Sequence, residues 1–352
     1  MTKPQVLVTG GTGFLGARLA RELVLRGNRV KVLARASSSL RGLEGIDPSM
    51  LEVAQGDVTV GHTVYRALAG CDRLFHVAAE FKIWDRRPAK ILDASIVGTR
   101  ETLEAARQKG IEKIVVTSST AAVGATPDAT LMNEEHPFNR ADSTPYIVAK
   151  RRAEEVALDM AARGMPIVVV NPATIMGGGD YKPTPSGDLI LTFLNWNLPF
   201  GVPWSDGGFS VVDVEDVVAG HIAAMERGRP GERYILGGNN VVVRDLFVAL
   251  AEVTGLRGPG LKATRVMAEV GGALGEAWGR ISGSVPQLTY KMARDYVGWY
   301  VWVSSERARA ELGYAIRPLR ATLVSAIRFF IEHGYVPADR VRKMRFDLRT
   351  RA

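Results

Sequence analysis

Short apolar runs alternate with longer amphipathic stretches over the first 175 residues. Six runs rich in β-branched residues predict β-strands, at 5–9, 29–34, 51–55, 73–77, 113–117 and 166–170. Amphipathic stretches such as 15–26 and 99–109 predict helices between the strands. Alternation of this kind is typical of parallel strands joined by crossover helices. We therefore predict an α/β fold with a Rossmann-type doubly wound parallel sheet.

The alternation becomes irregular after about residue 172, where glycine and proline become frequent. Strand-like and helix-like segments continue, at 209–212, 216–227, 232–236, 243–254 and 264–283. We predict a dinucleotide-binding domain at 1–175 that receives a returning strand and helix from about 209–236. A smaller, irregular substrate-binding cap with C-terminal helices should follow at 176–335, and a basic tail at 336–352.

Composition narrows the class of protein without identifying it. Of the 352 residues, 46% are hydrophobic and 23% charged, as expected for a soluble globular protein. The single cysteine, Cys71, permits no internal disulfide and fits a reducing compartment. Neither a signal peptide nor an apolar run of spanning length is visible, so we expect a cytoplasmic protein.

The net charge of +8 is concentrated towards the end of the chain. The basic residues of the tail are Arg340, Arg342, Lys343, Arg345, Arg349 and Arg351. We interpret this tail first as a solvated, frayed terminus. Peripheral contact with the anionic inner face of a membrane is the alternative, and the apolar helix at 264–283 could contribute to it. We expect no nucleic-acid partner, because no basic–aromatic binding pattern accompanies the tail.

A glycine-rich turn follows the first predicted strand and opens the first predicted helix. Glycines permit a tight turn and a close approach of backbone N–H groups to a pyrophosphate, and a helix N-terminus attracts that anion. The strand–turn–helix context makes this a dinucleotide site. The residues assigned to it are Gly10, Thr12, Gly13, Phe14, Leu15 and Gly16.

Arg35 directly follows the second predicted strand, at a place where an acidic residue would favour the ribose hydroxyl of NAD. A guanidinium instead suits the 2′-phosphate of NADP. We therefore expect NADP(H) as the preferred cofactor, with NAD(H) possible and with Ser37 or Arg41 as helpers.

Tyr146 and Lys150 lie four residues apart after Pro145, on one face of a predicted helix that Ser143 or Thr144 could cap. An ammonium beside a phenol stabilises the phenolate and lowers the phenol pKa, so the pair could move a proton to or from a substrate oxygen. A hydroxyl at the end of the strand at 113–117 would complete the set.

These motifs together resemble the extended short-chain dehydrogenase/reductase superfamily, and the resemblance runs from Val6 to about Tyr335. It implies that Ser119 is the catalytic hydroxyl, with Thr120 as the alternative. It also implies cofactor contacts from further residues at strand ends: Asp57, Val58, Ala78 and Pro172. One position departs from the family, since Ser95 stands where an asparagine is usual, which puts the family's proton relay in doubt.

Three branches of the superfamily share motifs with this chain. Dihydroflavonol reductases and 3β-hydroxysteroid dehydrogenases are similar at Arg35, at 117–119 and at 171–172. Segments 179–187 and 231–238 resemble hopanoid-associated sugar epimerases. Nucleotide-sugar epimerases and dehydratases fit less well, because Phe209 stands where many of them carry an arginine for the diphosphate.

The predicted substrate residues are largely apolar: Phe81, Trp84, Ser119, Met176, Tyr181 and Phe209. Apolar side chains over the site suit a ring compound, although they could equally form the cap's own core. The prediction is an NADP(H)-dependent enzyme that interconverts an alcohol and a ketone on an apolar ring substrate such as a sterol, hopanoid or other polycyclic terpenoid. An NAD-retaining sugar epimerase and a non-catalytic dinucleotide-binding protein are the alternatives. We expect no metal, and a homodimer formed through 99–109 and 146–163.

Overall fold

The computed structural model describes residues 5–78, 88–196, 199–282 and 288–346, and the side chains from residue 94 onwards in the second range. The strands are β1 (Gln5–Thr9), β2 (Arg29–Ala34), β3 (Leu51–Gln55), β4 (Arg73–His76), β5 (Lys113–Thr117), β6 (Ile167–Pro172), β7 (Thr174–Met176), β8 (Gly208–Asp213), β9 (Arg233–Leu236), β10 (Asn239–Val242) and β11 (Tyr300–Val301). The α-helices are α1 (Phe14–Leu25), α2 (Gly61–Ala67), α3 (Pro88–Lys109), α4 (Pro145–Ala162), α5 (Pro185–Asn195), α6 (Val214–Arg227), α7 (Val243–Thr254), α8 (Arg265–Ser282), α9 (Tyr290–Tyr296), α10 (Leu319–Glu332) and α11 (Ala338–Val341).

Seven parallel strands form the main sheet, in the order β3-β2-β1-β4-β5-β6-β9. Consecutive side chains of β1 point to opposite faces: Val6 and Val8 join one core and Leu7 joins the other. Helices α1 and α6 cover the first core, and α2, α3 and α4 cover the second. This arrangement confirms the predicted Rossmann-type fold and brings the carboxyl ends of the strands to one edge, where such folds bind ligands.

A smaller mixed sheet lies in the C-terminal half. β8 pairs with β10 along one edge and with β11 and β7 along the other. Helices α5, α7 and α10 pack beside it around a separate apolar core. The predicted strand at 209–212 therefore belongs to this second sheet, and β9 is the strand that returns to the main one.

The basic tail is folded against the cap as far as residue 346, and residues 347–352 lie outside the described part. The guanidinium of Arg340 donates to the carbonyl oxygens of Leu194 (3.0 Å) and Trp196 (2.6 Å). The backbone N–H of Arg345 donates to the carbonyl of Thr254 at 2.7 Å. The expectation of a frayed terminus is thus corrected for 336–346, because these bonds attach it to α5 and α7.

Alanines recur every four residues along α4, at 149, 153, 157 and 161, a spacing that permits the close helix packing expected of the predicted homodimer. Ala149 and Ala157 are buried, and Ala157 belongs to the cluster under α3. These two alanines therefore serve packing within the chain, and the homodimer stays a prediction. Within the described ranges, no helix is long and apolar enough to span a bilayer.

Candidate active site

The glycine-rich turn between β1 and α1 is built for close backbone approach. Gly10 has φ +70°, and a Cβ there would lie 2.7 Å from the Cα of Ala78 at the end of β4. The N–H of Gly13 donates to the carbonyl of Gly10 at 3.0 Å and closes the turn. Side chains at Gly10 and Gly16 would collide with neighbouring backbone, so the turn requires glycine at both positions.

The N-terminus of α1 is left open for an anion. Its N-cap residue is Gly13, which offers no side-chain cap, and its first turn contains no acidic residue. By contrast, Asp213, Thr184 and Thr289 cap α6, α5 and α9 with their side chains. The uncapped N–H groups and the helix dipole fit the pyrophosphate of a dinucleotide, with Thr12, Phe14 and Leu15 at the same turn.

The predicted ribose end of this cradle is basic. Arg35 follows β2 directly and is exposed, and its contact with a ligand phosphate stays a prediction. The Arg41 guanidinium lies over the ring of Tyr181, 4.9 Å from its centroid. This contact places Tyr181 beside the loop after β2.

Asp57 and Val58 lie in the loop after β3. Asp57 accepts hydrogen bonds from the N–H and hydroxyl of Thr59 at 2.9 and 2.8 Å. One carboxylate oxygen of Asp57 therefore accepts both bonds of a local turn, of the kind that caps helices. Contact with an adenine amino group stays a prediction for both residues.

His76 at the end of β4 is a structural residue. Its Nδ1 lies 2.8 Å from the Thr9 hydroxyl and its Nε2 lies 3.2 Å from the Thr99 hydroxyl. Burial, reinforced by the charge of Lys150, lowers the pKa of His76 to about 3 and keeps the imidazole neutral. His76 thus links the end of β1, just before the glycine turn, to α3, and it lies close enough to the Lys150 ammonium for that charge to affect its pKa.

The predicted catalytic hydroxyls of Ser119 and Tyr146 are hydrogen-bonded to each other. Ser119 is half-buried after the end of β5, whereas Thr120 is 5% exposed, so Ser119 is the more accessible of the two candidate hydroxyls. Burial raises the pKa of Tyr146 above its ordinary value, and the Ser119 bond opposes that rise. The expected lowering of the Tyr146 pKa is thus reversed, because enclosure disfavours the phenolate. A neutral phenol at this place is a proton donor.

Lys150 lies one turn further along α4. Its ammonium donates to the carbonyl oxygens of Thr117 at 3.2 Å and Ser118 at 3.4 Å, at the end of β5. Burial lowers the pKa of Lys150 to about 8, and the charge of Glu154 opposes that shift. An ammonium whose pKa lies near neutrality can release and regain a proton during turnover.

A buried ion pair lies behind the lysine. The Glu154 side chain is fully buried, and its carboxylate accepts from the Arg233 guanidinium at 2.8 Å and from the Asn171 amide at 2.5 Å. The same amide donates to the carbonyl of Ser119 at 3.0 Å. Glu154 therefore connects α4, β6 and β9 to the loop that contains Ser119, the predicted catalytic serine. Pro172, which follows Asn171, is buried at the end of β6.

The second half of the chain also reaches this site. The Asp295 carboxylate accepts from the Ser143 hydroxyl at 2.6 Å and from the Thr144 N–H at 2.8 Å, just before α4 begins. The charge of Tyr296 would further raise the pKa of Tyr146, which places the two phenols close together. Enclosure of its hydroxyl raises the pKa of Tyr296 to about 12, although 40% of the residue is exposed.

The residues predicted to contact substrate divide into groups. Met176 is 1% exposed in the apolar core of the cap, and Tyr181 packs edge-on against Phe329, so both serve the cap's own packing. The depth of burial corrects the assignment of Met176 to the substrate, because the cap needs its own apolar core, whereas that of Tyr181 stays a prediction. Phe209 is half-buried against the same core. Phe81 and Trp84 lie outside the described residues.

Sequence reasoning missed Glu154, Asp295 and Tyr296. Glu154 could have been found, because it lies four residues after Lys150 on the same helix face. Asp295 and Tyr296 had no local signal, since only the folded chain brings them to α4. The described residues contain no group of three or more side chains suited to hold a metal.

Comparison with known proteins gives a family and close relatives. The model of the NAD dependent epimerase/dehydratase family matches residues 6–237. A putative dihydroflavonol 4-reductase of Synechocystis is 36% identical, covering 94% of this chain and 95% of that protein. Sterol demethylase protein B of Methylococcus capsulatus is 33% identical, covering 94% and 99%. The crystal structure of gox2253 is 35% identical with a TM-score of 0.82, covering 95% of this chain and 100% of that one.

Proposed function

The chain belongs to the NAD dependent epimerase/dehydratase family and is an NAD(P)-dependent enzyme acting on alcohol or ketone groups. Within that class, we propose that it is an NADP(H)-dependent oxidoreductase for an apolar ring substrate. The observation that carries the proposal is the hydrogen-bonded pair of Ser119 and a neutral Tyr146, with the Lys150 ammonium of α4 at the end of β5.

The side chains suit ketone reduction in the following way. When bound, the nicotinamide supplies a hydride to the carbonyl carbon. Ser119 donates a hydrogen bond to the carbonyl oxygen and holds the charge that develops there. Tyr146, neutral because it is buried, gives its proton to that oxygen. Lys150 stabilises the phenolate that is left, and its own pKa of about 8 allows proton return from solvent.

Two observations support an apolar rather than a sugar-nucleotide substrate. Half-buried Phe209 stands where a diphosphate would need a cation, and an apolar ring cannot pair with phosphate. Relatives that match almost the whole chain are described as a dihydroflavonol reductase and a sterol demethylase protein. Together these favour a ring alcohol or ketone of sterol, hopanoid or related terpenoid type.

Arg35 carries the preference for NADP(H). A guanidinium–phosphate bond contributes about 1.5–3 kcal/mol, or roughly a 10- to 100-fold preference in affinity. Calorimetry on wild type and Arg35→Ala should show NADPH affinity falling by about that factor, with NADH affinity unchanged. Arg29→Ala is the matched control, since Arg29 begins the same strand at the opposite edge of the sheet. Equal affinities for NADPH and NADH in wild type would remove the preference.

A sugar epimerase that retains NAD is the second candidate, favoured by the family that the chain belongs to. Such an enzyme oxidises and re-reduces its substrate on one cofactor. It would purify with NAD bound and would show no net change in nicotinamide absorbance.

A further inference from the structure

Helix α8 exposes an apolar face to solvent. Six of its side chains are between 56% and 81% exposed, namely Val266, Met267, Val270, Leu274, Trp278 and Ile281. At about 100° per residue, these six fall within an arc of about 120° on one side of the helix. We call this arc the α8 apolar face. Isolated exposed apolar residues are ordinary, but six on one helix face mark an interaction site.

The opposite side of α8 is the side that packs on the protein. Its buried residues are small: Ala268, Gly272 and Gly279. A Cβ at Gly272 would lie 2.5 Å from the carbonyl carbon of Thr289, so α8 lies close against the start of α9. The Glu276 carboxylate accepts from the Tyr290 N–H at 3.0 Å and fixes this contact. The α8 apolar face therefore points away from the cap.

Positive charge surrounds the face. Residues 257–294 contain six basic and two acidic side chains, a net charge of +4 out of +8 for the whole chain. Ion pairs engage part of this charge, since Arg265 pairs with Glu269 at 2.9 Å, Lys262 with Asp206 at 2.8 Å and Arg294 with Asp142 at 3.6 Å. Arg280 is exposed next to the apolar arc. An apolar arc bordered by cations is complementary to an anionic lipid surface.

A second copy of the chain fits this face less well. A two-fold contact through α8 would bring Arg265 and Arg280 of both copies together, and like charges repel. A lipid surface of opposite charge has no such cost, and Trp278 is of the type that settles at a bilayer interface.

We propose that α8 lies flat in the surface of an anionic phospholipid bilayer, with the α8 apolar face inserted. This contact lies next to the catalytic site through α9, because Arg265 of α8 donates to the carbonyl of Arg294 at 3.3 Å. The following residues, Asp295 and Tyr296, adjoin the N-terminus of α4 and Tyr146. The bilayer would therefore meet the protein on the side where α9 adjoins Tyr146. That it supplies the substrate rests on the proposed function, whereas the contact itself does not.

Co-sedimentation of the whole chain with vesicles tests the contact. Vesicles of equal parts phosphatidylglycerol and phosphatidylcholine should retain the wild type at low salt, and pure phosphatidylcholine should retain less. The double variant Leu274→Glu/Trp278→Glu should bind the anionic vesicles at least about 10-fold more weakly, since it loses apolar insertion and gains like charge. Leu25→Glu/Leu131→Glu changes two exposed apolar residues elsewhere by the same charge and should bind as wild type does.

Three results would overturn the proposal. One is a wild type that ignores the anionic vesicles, and another is equal binding by both double variants. The third is a wild type that self-associates in sedimentation velocity through α8 and binds no vesicles, which would assign the face to a second copy. Reduction of a detergent-dispersed ring ketone without vesicle binding would defeat this inference alone. Vesicle binding without any such reduction would defeat the proposed function alone.

Discussion

The Asp295 carboxylate lies 2.8 Å from the backbone nitrogen of Thr144, the residue that precedes the helix of Tyr146 and Lys150. The cap thus holds the start of the catalytic helix from a position far along the chain. Asp295 and the neighbouring Arg140 are both nearly buried, 3.7 Å apart. A negative charge at a helix N-terminus is also favourable to the helix dipole.

Replacing Asp295 by alanine should therefore destabilise the fold by about 3 kcal/mol, because Arg140 is left buried without its carboxylate. Urea unfolding measures this loss. Asp142→Ala is the control, since its carboxylate is 93% exposed and pairs with Arg294 only at the surface, so it should cost no more than about 0.5 kcal/mol. Equal costs for the two variants would mean that Asp295 does not hold α4.

The buried ion pair of Glu154 and Arg233 should also contribute to the free energy of unfolding. Glu154→Gln is expected to cost about 3 kcal/mol of unfolding free energy. It removes the negative charge of the buried Glu154 carboxylate and leaves the Arg233 guanidinium without its ion-pair partner. Glu155→Gln, one residue away and 39% exposed, should cost about 0.5 kcal/mol or less. In the double variant Glu154→Gln/Arg233→Met, part of the loss should be regained. Strictly additive losses would contradict a coupled pair.

Lys150 should make stability depend on pH in the alkaline range. Its folded pKa of about 8 lies below the usual 10.5, so the unfolded chain binds more protons between those values and stability rises with pH there. The loss of folding free energy caused by burying the charged Lys150 ammonium is largest below pH 8, where the group is protonated in the folded state. The gain in stability from Lys150→Met should therefore shrink by about 1 kcal/mol between roughly pH 7 and pH 9. A gain independent of pH would show that Lys150 titrates normally.

The main sheet could be predicted from the sequence because its central strands are buried on both faces. The centre of β1, Val6–Val8, is apolar throughout, and the glycine turn is restricted by local sterics. Predicted and observed bounds differ mainly where the pattern ends, as at β6, which continues to Pro172 because it pairs with β9.

The residues of the candidate catalytic site could be predicted only where they lie close together in the sequence. Tyr146 and Lys150 lie one helical turn apart, but Asp295 and Tyr296 come to them through folding alone. Met176 was assigned to the substrate because apolar composition does not say which core a side chain joins. The tail up to 346 was assigned to solvent because charge does not reveal that Arg340 bonds to backbone carbonyls.

The central claim is that Tyr146 gives a proton to a ketone while NADPH gives the hydride. The most direct measurement follows the absorbance band of reduced nicotinamide as the enzyme, NADPH and a polycyclic ketone are mixed, for wild type and for Tyr146→Phe. We predict steady loss of the band with wild type and a rate roughly 10²- to 10⁴-fold lower with the variant, at unchanged NADPH affinity. A wild type that carries tightly bound NAD and never changes the band, while inverting a sugar centre, would contradict the account.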